Sequence, residues 1–202
     1  MIKHFVTLAL IAIILIPACA YAKTVSVPFS TGQYHLNSLK NETRLELDGF
    51  HSRFDPGLPD LPMKHYVLAL PPGCTAESVK VLADQRVRLP GSYQIAPAQL
   101  IYPRQDRHQC PGLYSQLESA YADNLAHIEH KSLDVFPETS CWIVGQGALG
   151  AISYVTVALS PFSYIPATGE LELISAGQIE VTVSDRHSPR IEKSRTEVTT
   201  DQ

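Results

Sequence analysis

Positive charge is in short supply in this 202-residue chain: 16 lysines and arginines stand against 20 aspartates and glutamates, a formal net charge of −4 at pH 7. A mildly acidic surface of mixed charge gives no reason to expect a nucleic acid, and no basic tract offers itself to a membrane surface. Cysteine is scarce too, with four residues at positions 19, 74, 110 and 141. Cys19 belongs to the N-terminal apolar segment, and the odd three that remain cannot form a disulfide framework. No internal repeat or low-complexity tract stands out, so the chain is not an array of small units.

The arrangements that carry catalysis are missing as well. A nucleophilic cysteine needs a nearby base, usually histidine, to form its thiolate. Cys141-Trp142 echoes the nucleophile site of papain-like enzymes, but Thr139-Ser140 stands where a Gly-Ser context belongs. The histidine that follows, His187, sits in a polar tail. Cys141 and Trp142 therefore read as core residues of a strand. His108, Cys110, His127 and His130 fall within one excursion, yet their spacing matches no compact zinc pattern. Exposed histidines on a polar helix face account for them. Glu170 and Glu172 share the solvated side of a strand and make no acid/base pair. Gly145-Gln146-Gly147-Ala148-Leu149-Gly150 has the letters of a phosphate-binding turn, but it precedes a strand where that motif needs a helix. It reads as a flexible hairpin loop. Neither a cofactor nor a metal is expected.

The N-terminus is what a secreted chain would show. A short basic start, Met1-Ile2-Lys3-His4, leads into an apolar run over residues 5–16, then Pro17 and the small-residue site Ala20-Tyr21-Ala22. That three-part layout is a signal peptide over residues 1–22, with cleavage after Ala22. The apolar run is shorter than the roughly 20 residues of a spanning helix, so no membrane span is expected. Ala18-Cys19 could mark a lipoprotein, but Pro17 fits that pattern poorly and plain cleavage fits well. The chain is expected outside the cytoplasm, secreted, periplasmic or at the cell surface. Disulfides persist there, and Cys110 with Cys141 is the suggested pair. Asn41-Glu42-Thr43 is a glycosylation sequon that matters only in a eukaryotic secretory route.

Between residues 23 and 184 strand signals dominate. Residues 24–29, 43–48, 78–82, 170–174 and 178–183 alternate apolar with polar side chains, residues 63–70, 141–144 and 152–159 are more uniformly apolar, and 87–89 is short and weak. Period-two alternation between turn residues marks half-buried antiparallel sheets. The expected fold is mainly β, an antiparallel β-sandwich or partly closed barrel. Pro166-Ala167-Thr168-Gly169 and Ser175-Ala176-Gly177 read as tight connections. One segment departs from this: Leu113, Leu117, Tyr121, Leu125 and Ile128 form a helical stripe over residues 112–131, with Ser115 and Glu118 at capping-box spacing. It predicts one helix in an excursion between strands, preceded by an exposed loop over 103–111. Residues 185–202 hold almost no apolar side chains and read as a disordered tail or linker.

Phe54-Asp55-Pro56-Gly57-Leu58-Pro59-Asp60-Leu61-Pro62 is a stiff, extended lead-in, since three prolines fix φ and remove backbone donors. The apolar strand 63–70 and the exit Pro71-Pro72-Gly73 follow. A second patch runs from Tyr154 through Phe162-Ser163-Tyr164-Ile165-Pro166-Ala167-Thr168-Gly169-Glu170-Leu171 to Val183. Together, in this order, they resemble the N-terminal pro-domain of the gingipain family of secreted cysteine peptidases. The resemblance covers about a quarter of the chain. It implies a β-sandwich that packs on a caspase-like catalytic domain, keeps it latent and assists its folding, with no catalysis of its own. It also implies a loop that places a basic side chain in the specificity pocket, a role for which Arg104 and Arg107 are the candidates. Arg190, Lys193 and Arg195 are candidate processing sites. The chain reaches Gln202 without a catalytic domain and without a His-Gly dipeptide. It is expected to act in cis, as a piece of a precursor, or in trans on a separate peptidase. The alternative is a structural or adhesive β-sandwich on the cell surface.

Overall fold

The computed structural model describes residues 23–53, 55–102, 111–129 and 134–185. The expected signal peptide with its cleavage point at Ala22, residues 103–110 of the expected exposed loop and residues 186–202 of the expected tail or linker lie outside them.

Among the described residues ten strands and one helix follow in order: β1 (Lys23–Ser30), β2 (Tyr34–Leu39), β3 (Glu42–Leu47), β4 (His51–Ser52), β5 (Pro62–Leu70), β6 (Thr75–Arg88), α1 (Pro111–Glu129), β7 (Cys141–Leu149), β8 (Ile152–Leu159), β9 (Phe162–Ile165) and β10 (Glu170–Ser184). One sheet runs β1-β10-β6, with β9 also paired to β10, and a second runs β4-β5-β8-β7. Strands β2 and β3 form a separate hairpin. Every strand pair is antiparallel. This is the sandwich-like, mainly β architecture the alternation predicts, with its one helix between β6 and β7.

Two cores fill the structure. The larger lies between the sheets and takes Leu68 and Leu70 from β5, Val155, Val157 and Leu159 from β8, and Ile179, Val181 and Val183 from β10. The smaller gathers Leu45 and Leu47 of the hairpin, Leu61, Ile95, Phe162, Leu171 and Leu173. Strand β10 contributes to both. Its alternation is the reason: Leu171, Leu173, Ile179, Val181 and Val183 are all buried, as a strand with one solvated face requires. On its other face Glu180 pairs with Lys80 at 2.7 Å, Glu172 with Arg86 at 3.0 Å, and Glu170 with Arg88.

The structure corrects several local expectations. Ser175-Ala176-Gly177 is no connection between two strands. It lies inside β10, where the pairing with β6 slips at Ala176 and recovers at Gly177. This is a bulge, which kinks a strand without ending it. The weak strand at 87–89 is the end of the 14-residue β6. Residues 145–149 belong to β7, and the turn comes only at Gly150-Ala151. Helix α1 begins at Pro111, a residue suited to a first helical position, so Ser115 and Glu118 stand inside the helix and form no cap. Tyr114, not Leu113, is the buried residue of its first turn. Strands β2 and β9 had no clear signal in the sequence.

Leu171 is fully buried, and its truncation leaves a cavity in the smaller core. Leu171→Ala should lower stability by about 3 kcal/mol in urea unfolding, whereas Lys80→Ala, which loses one exposed ion pair, should cost under about 1 kcal/mol.

Candidate interaction surface

The proline-rich lead-in builds the region around the helix. Pro59 lies opposite Pro97 in an antiparallel bridge. Neither proline can donate, so their neighbours carry the bonds. The Asp60 amide donates to the Ala96 carbonyl at 2.9 Å, and the Ala98 amide to the Leu58 carbonyl at 2.8 Å. On its other side the same short segment holds β3, where the Thr43 amide donates to Gln94 and the Ala96 amide to Thr43. Residues 94–98 are thereby locked between the hairpin and the lead-in, with Ile95, Ala96 and Ala98 buried.

Gly57 joins this unit to the helix. Its φ of +85° is a left-handed conformation that side chains resist, and a Cβ there would lie 2.6 Å from the Tyr121 carbonyl oxygen of α1. Beside it, the Asn124 amide donates to the Pro56 carbonyl at 2.9 Å. The chain leaves this unit through Ile101 and Tyr102, both exposed. The Tyr102 ring stacks on Tyr114 of α1 with centroids 5.5 Å apart and planes 16° from parallel. Its hydroxyl donates to Glu118 at 3.1 Å. The point where the chain leaves for residue 103 and the first turn of the helix are thus held side by side. Arg104, Arg107 and Cys110 belong to the intervening segment, outside the described residues.

A second junction ties the lead-in to β7. The Arg53 guanidinium sits between the Phe136 ring, 4.8 Å away, and the Trp142 ring, 4.6 Å away, and its Nε donates to Asp55. Such stacking is favourable where the cation is shielded from water. Trp142 thus serves the packing of the lead-in. Its neighbour Cys141 is buried, and burial pushes its thiol up to about 11, the opposite of what a nucleophile needs. The suggested partner Cys110 lies outside the described residues.

A shallow groove runs beside the lead-in, lined by His35, Arg44, Asp48, His51, Asp60 and Ile101 among others. The His51 ring stacks on His65 at 5.2 Å, and burial together with the neighbouring His65 lowers the His51 pKa below its usual value. His35 approaches Asp48 at 3.8 Å. Of the four residues weighed as metal ligands, only His127 is described, on the exposed side of α1. Among the described residues no group of three or more histidine, cysteine or carboxylate side chains could hold a metal ion. No helix among them is long and apolar enough to cross a membrane. The processing candidates Arg190, Lys193 and Arg195 lie outside the described residues.

Comparison with known proteins gives two kinds of match. The family model Propeptide_C25 matches residues 33–201. Among solved structures, the complex of Porphyromonas gingivalis RgpB pro- and mature domains is similar with a TM-score of 0.56, at 17% identity over 80% of this chain and 79% of that one. A structure of gingipain K from Porphyromonas gingivalis, described in terms of its zymogenic latency, is similar with a TM-score of 0.55 and 17% identity, over 80% of this chain and 87% of that one. At such identity the structural likeness shows the shared fold. No curated protein matches. The family match begins after β1, although β1 pairs with β10 from Lys23 to Ser30.

Two measurements check this geometry. Gly57→Ala should cost about 1–3 kcal/mol of stability and raise hydrogen exchange in α1 above that in β8. Iodoacetamide at pH 8 should label Cys141 at least tenfold more slowly in the folded protein than in denaturant.

Proposed function

The chain belongs to the Propeptide_C25 family, and from that premise we propose that it is an exported pro-domain, without catalysis of its own, that binds a gingipain-type cysteine peptidase domain and keeps it latent. The folded module is residues 23–184, and the signal peptide 1–22 carries it out of the cytoplasm. It acts in cis when joined to the peptidase and in trans when not, and it assists folding of the domain it covers. The observation that carries the reading is the Tyr102–Tyr114 stack, which fixes both ends of the segment bearing Arg104 and Arg107. A basic side chain offered on such a segment can occupy the pocket of a peptidase that cleaves after basic residues. Arg190, Lys193 and Arg195, beyond the last strand, are the proposed places where release occurs.

The test isolates the chain from its native host with any peptidase that accompanies it. A gingipain-type peptidase should co-purify as a latent complex or a single precursor, and activation should yield a fragment ending near Arg190–Arg195 by intact mass. Restoring purified chain to the activated peptidase should inhibit it, and Arg104→Ala with Arg107→Ala should weaken that inhibition at least tenfold. Undiminished inhibition by the double variant would remove the loop from the mechanism. The absence of any such peptidase from the purified material would overturn the pro-domain reading.

A further inference from the structure

The two sheets turn different faces to solvent. On β10 and β6 the outward side chains are charged and paired across the strands, as in Lys80–Glu180 and Arg86–Glu172. The outward face of β5, β8 and β7 carries no such pairs. Leu68, Leu70, Val155 and Val157 point into the core, so Val67, Ala69, Tyr154 and Thr156 point the other way. A register shift after Ile143 brings Gly145, Gly147 and Leu149 opposite Thr156, Tyr154 and Ile152, on that same outer side. Below His65 these rows hold no acid and no base. Val67 is 68% exposed, Ile152 58% and Leu149 77%. Tyr154 lies over Gly147, where a Cβ would come within 3.0 Å of its hydroxyl.

Isolated apolar side chains on a surface need no explanation, but a contiguous uncharged patch marks a contact site. The cores of protein interfaces are depleted in charge in the same way. Where the chain leaves the sandwich says which partner fits. Asp185 follows β10 and accepts hydrogen bonds from Lys23 Nζ at 2.9 Å and from Cys74 Sγ at 3.3 Å. Cys74 belongs to the turn after β5, whose last residue Leu70 pairs with Ser153 at the start of β8. The Ile152–Leu149 end of the bare face and the exit of the chain are therefore at one pole. A peptidase joined in cis would be tethered from Asp185, at this pole of the sandwich.

We propose that the outer face of β5, β8 and β7 is the surface on which this chain seats its peptidase domain, through apolar contacts centred on Val67, Leu149 and Ile152. The proposal rests on the pro-domain reading above and adds a second point of attachment to it. The loop bearing Arg104 and Arg107 addresses the pocket, and the bare face carries the area of the contact.

Site-specific photocrosslinking in the native host tests it, with benzoylphenylalanine replacing Val67, Leu149 or Ile152 on the bare face and Lys80 on the charged face. All four positions are exposed, and retained far-UV circular dichroism and thermal midpoint check the fold. The expected result is an adduct with the gingipain-type peptidase from the three bare-face positions and none from Lys80. Adducts to the peptidase from Lys80 alone, or none from the bare face while the peptidase still co-purifies, would overturn the docking face and leave the pro-domain reading standing. Adducts between two copies of this chain at the bare face would overturn it in favour of self-association. Absence of the peptidase altogether would overturn both. In parallel, Val67→Asp with Ile152→Asp should weaken inhibition at least tenfold, and unchanged inhibition would count against the face.

Discussion

Everything in this structure depends on the antiparallel pairing of β10. It is the central strand of its sheet, bonded to β6 along almost its whole length, to β9 over its first residues and to β1 over the remainder. Its buried side chains enter both cores, Leu171 and Leu173 the smaller, Ile179, Val181 and Val183 the larger. A slip of one residue would turn all of them outward and bring the glutamates in. The ion pairs with β6 support the same register, because they form only when Glu180 faces Lys80 and when Glu172 and Glu170 come within reach of Arg86 and Arg88. The bulge at Ala176 lets the strand bend as it passes from one core to the other without changing which side chains face inward.

Much of this was legible in the sequence, because period-two alternation is a direct record of which side of a strand is dry. The alternating run 43–48 matched β3 almost to its ends for that reason, while β8 at 152–159 was legible from its unbroken apolar run. The places that misled were those where local composition and tertiary setting disagree. Ser175-Ala176-Gly177 has turn chemistry, but pairing with β1 and β6 carries the strand through it as a bulge. Gly145 and Gly147 look like a loop until their pairing with β8 is known. Strand β9 is too short to show a period, and β2 has a hairpin partner that composition alone does not reveal. The region around the helix was half visible. Prolines announced a stiff lead-in. That its partner would be another proline, Pro97, required the fold.

The proposed functional residues divide along the same line. Basic side chains in a polar loop can be named from sequence, but what fixes the ends of that loop cannot. The Tyr102–Tyr114 contact joins residues on either side of the excursion, and no period or spacing signals it. The bare face was hidden for a similar reason. Val67, Leu149 and Ile152 are apolar, and apolar residues in strands are expected to be buried. Only the pairing register shows that they point away from the core. Cys141 and Trp142 were read correctly as strand residues, and the structure adds what they touch: one is buried in the larger core, the other holds Arg53.

The position of β10 at the end of the folded sequence has a temporal consequence. Lys23 is among the first residues of the sandwich and pairs with Val183, among its last. A chain made from its N-terminus must wait for residues 170–184 before either core can close, and contacts of such long sequence separation form slowly. Until then the hairpins have no common strand to gather on. The closing of both cores is therefore the last event in the making of this module, set by its final strand.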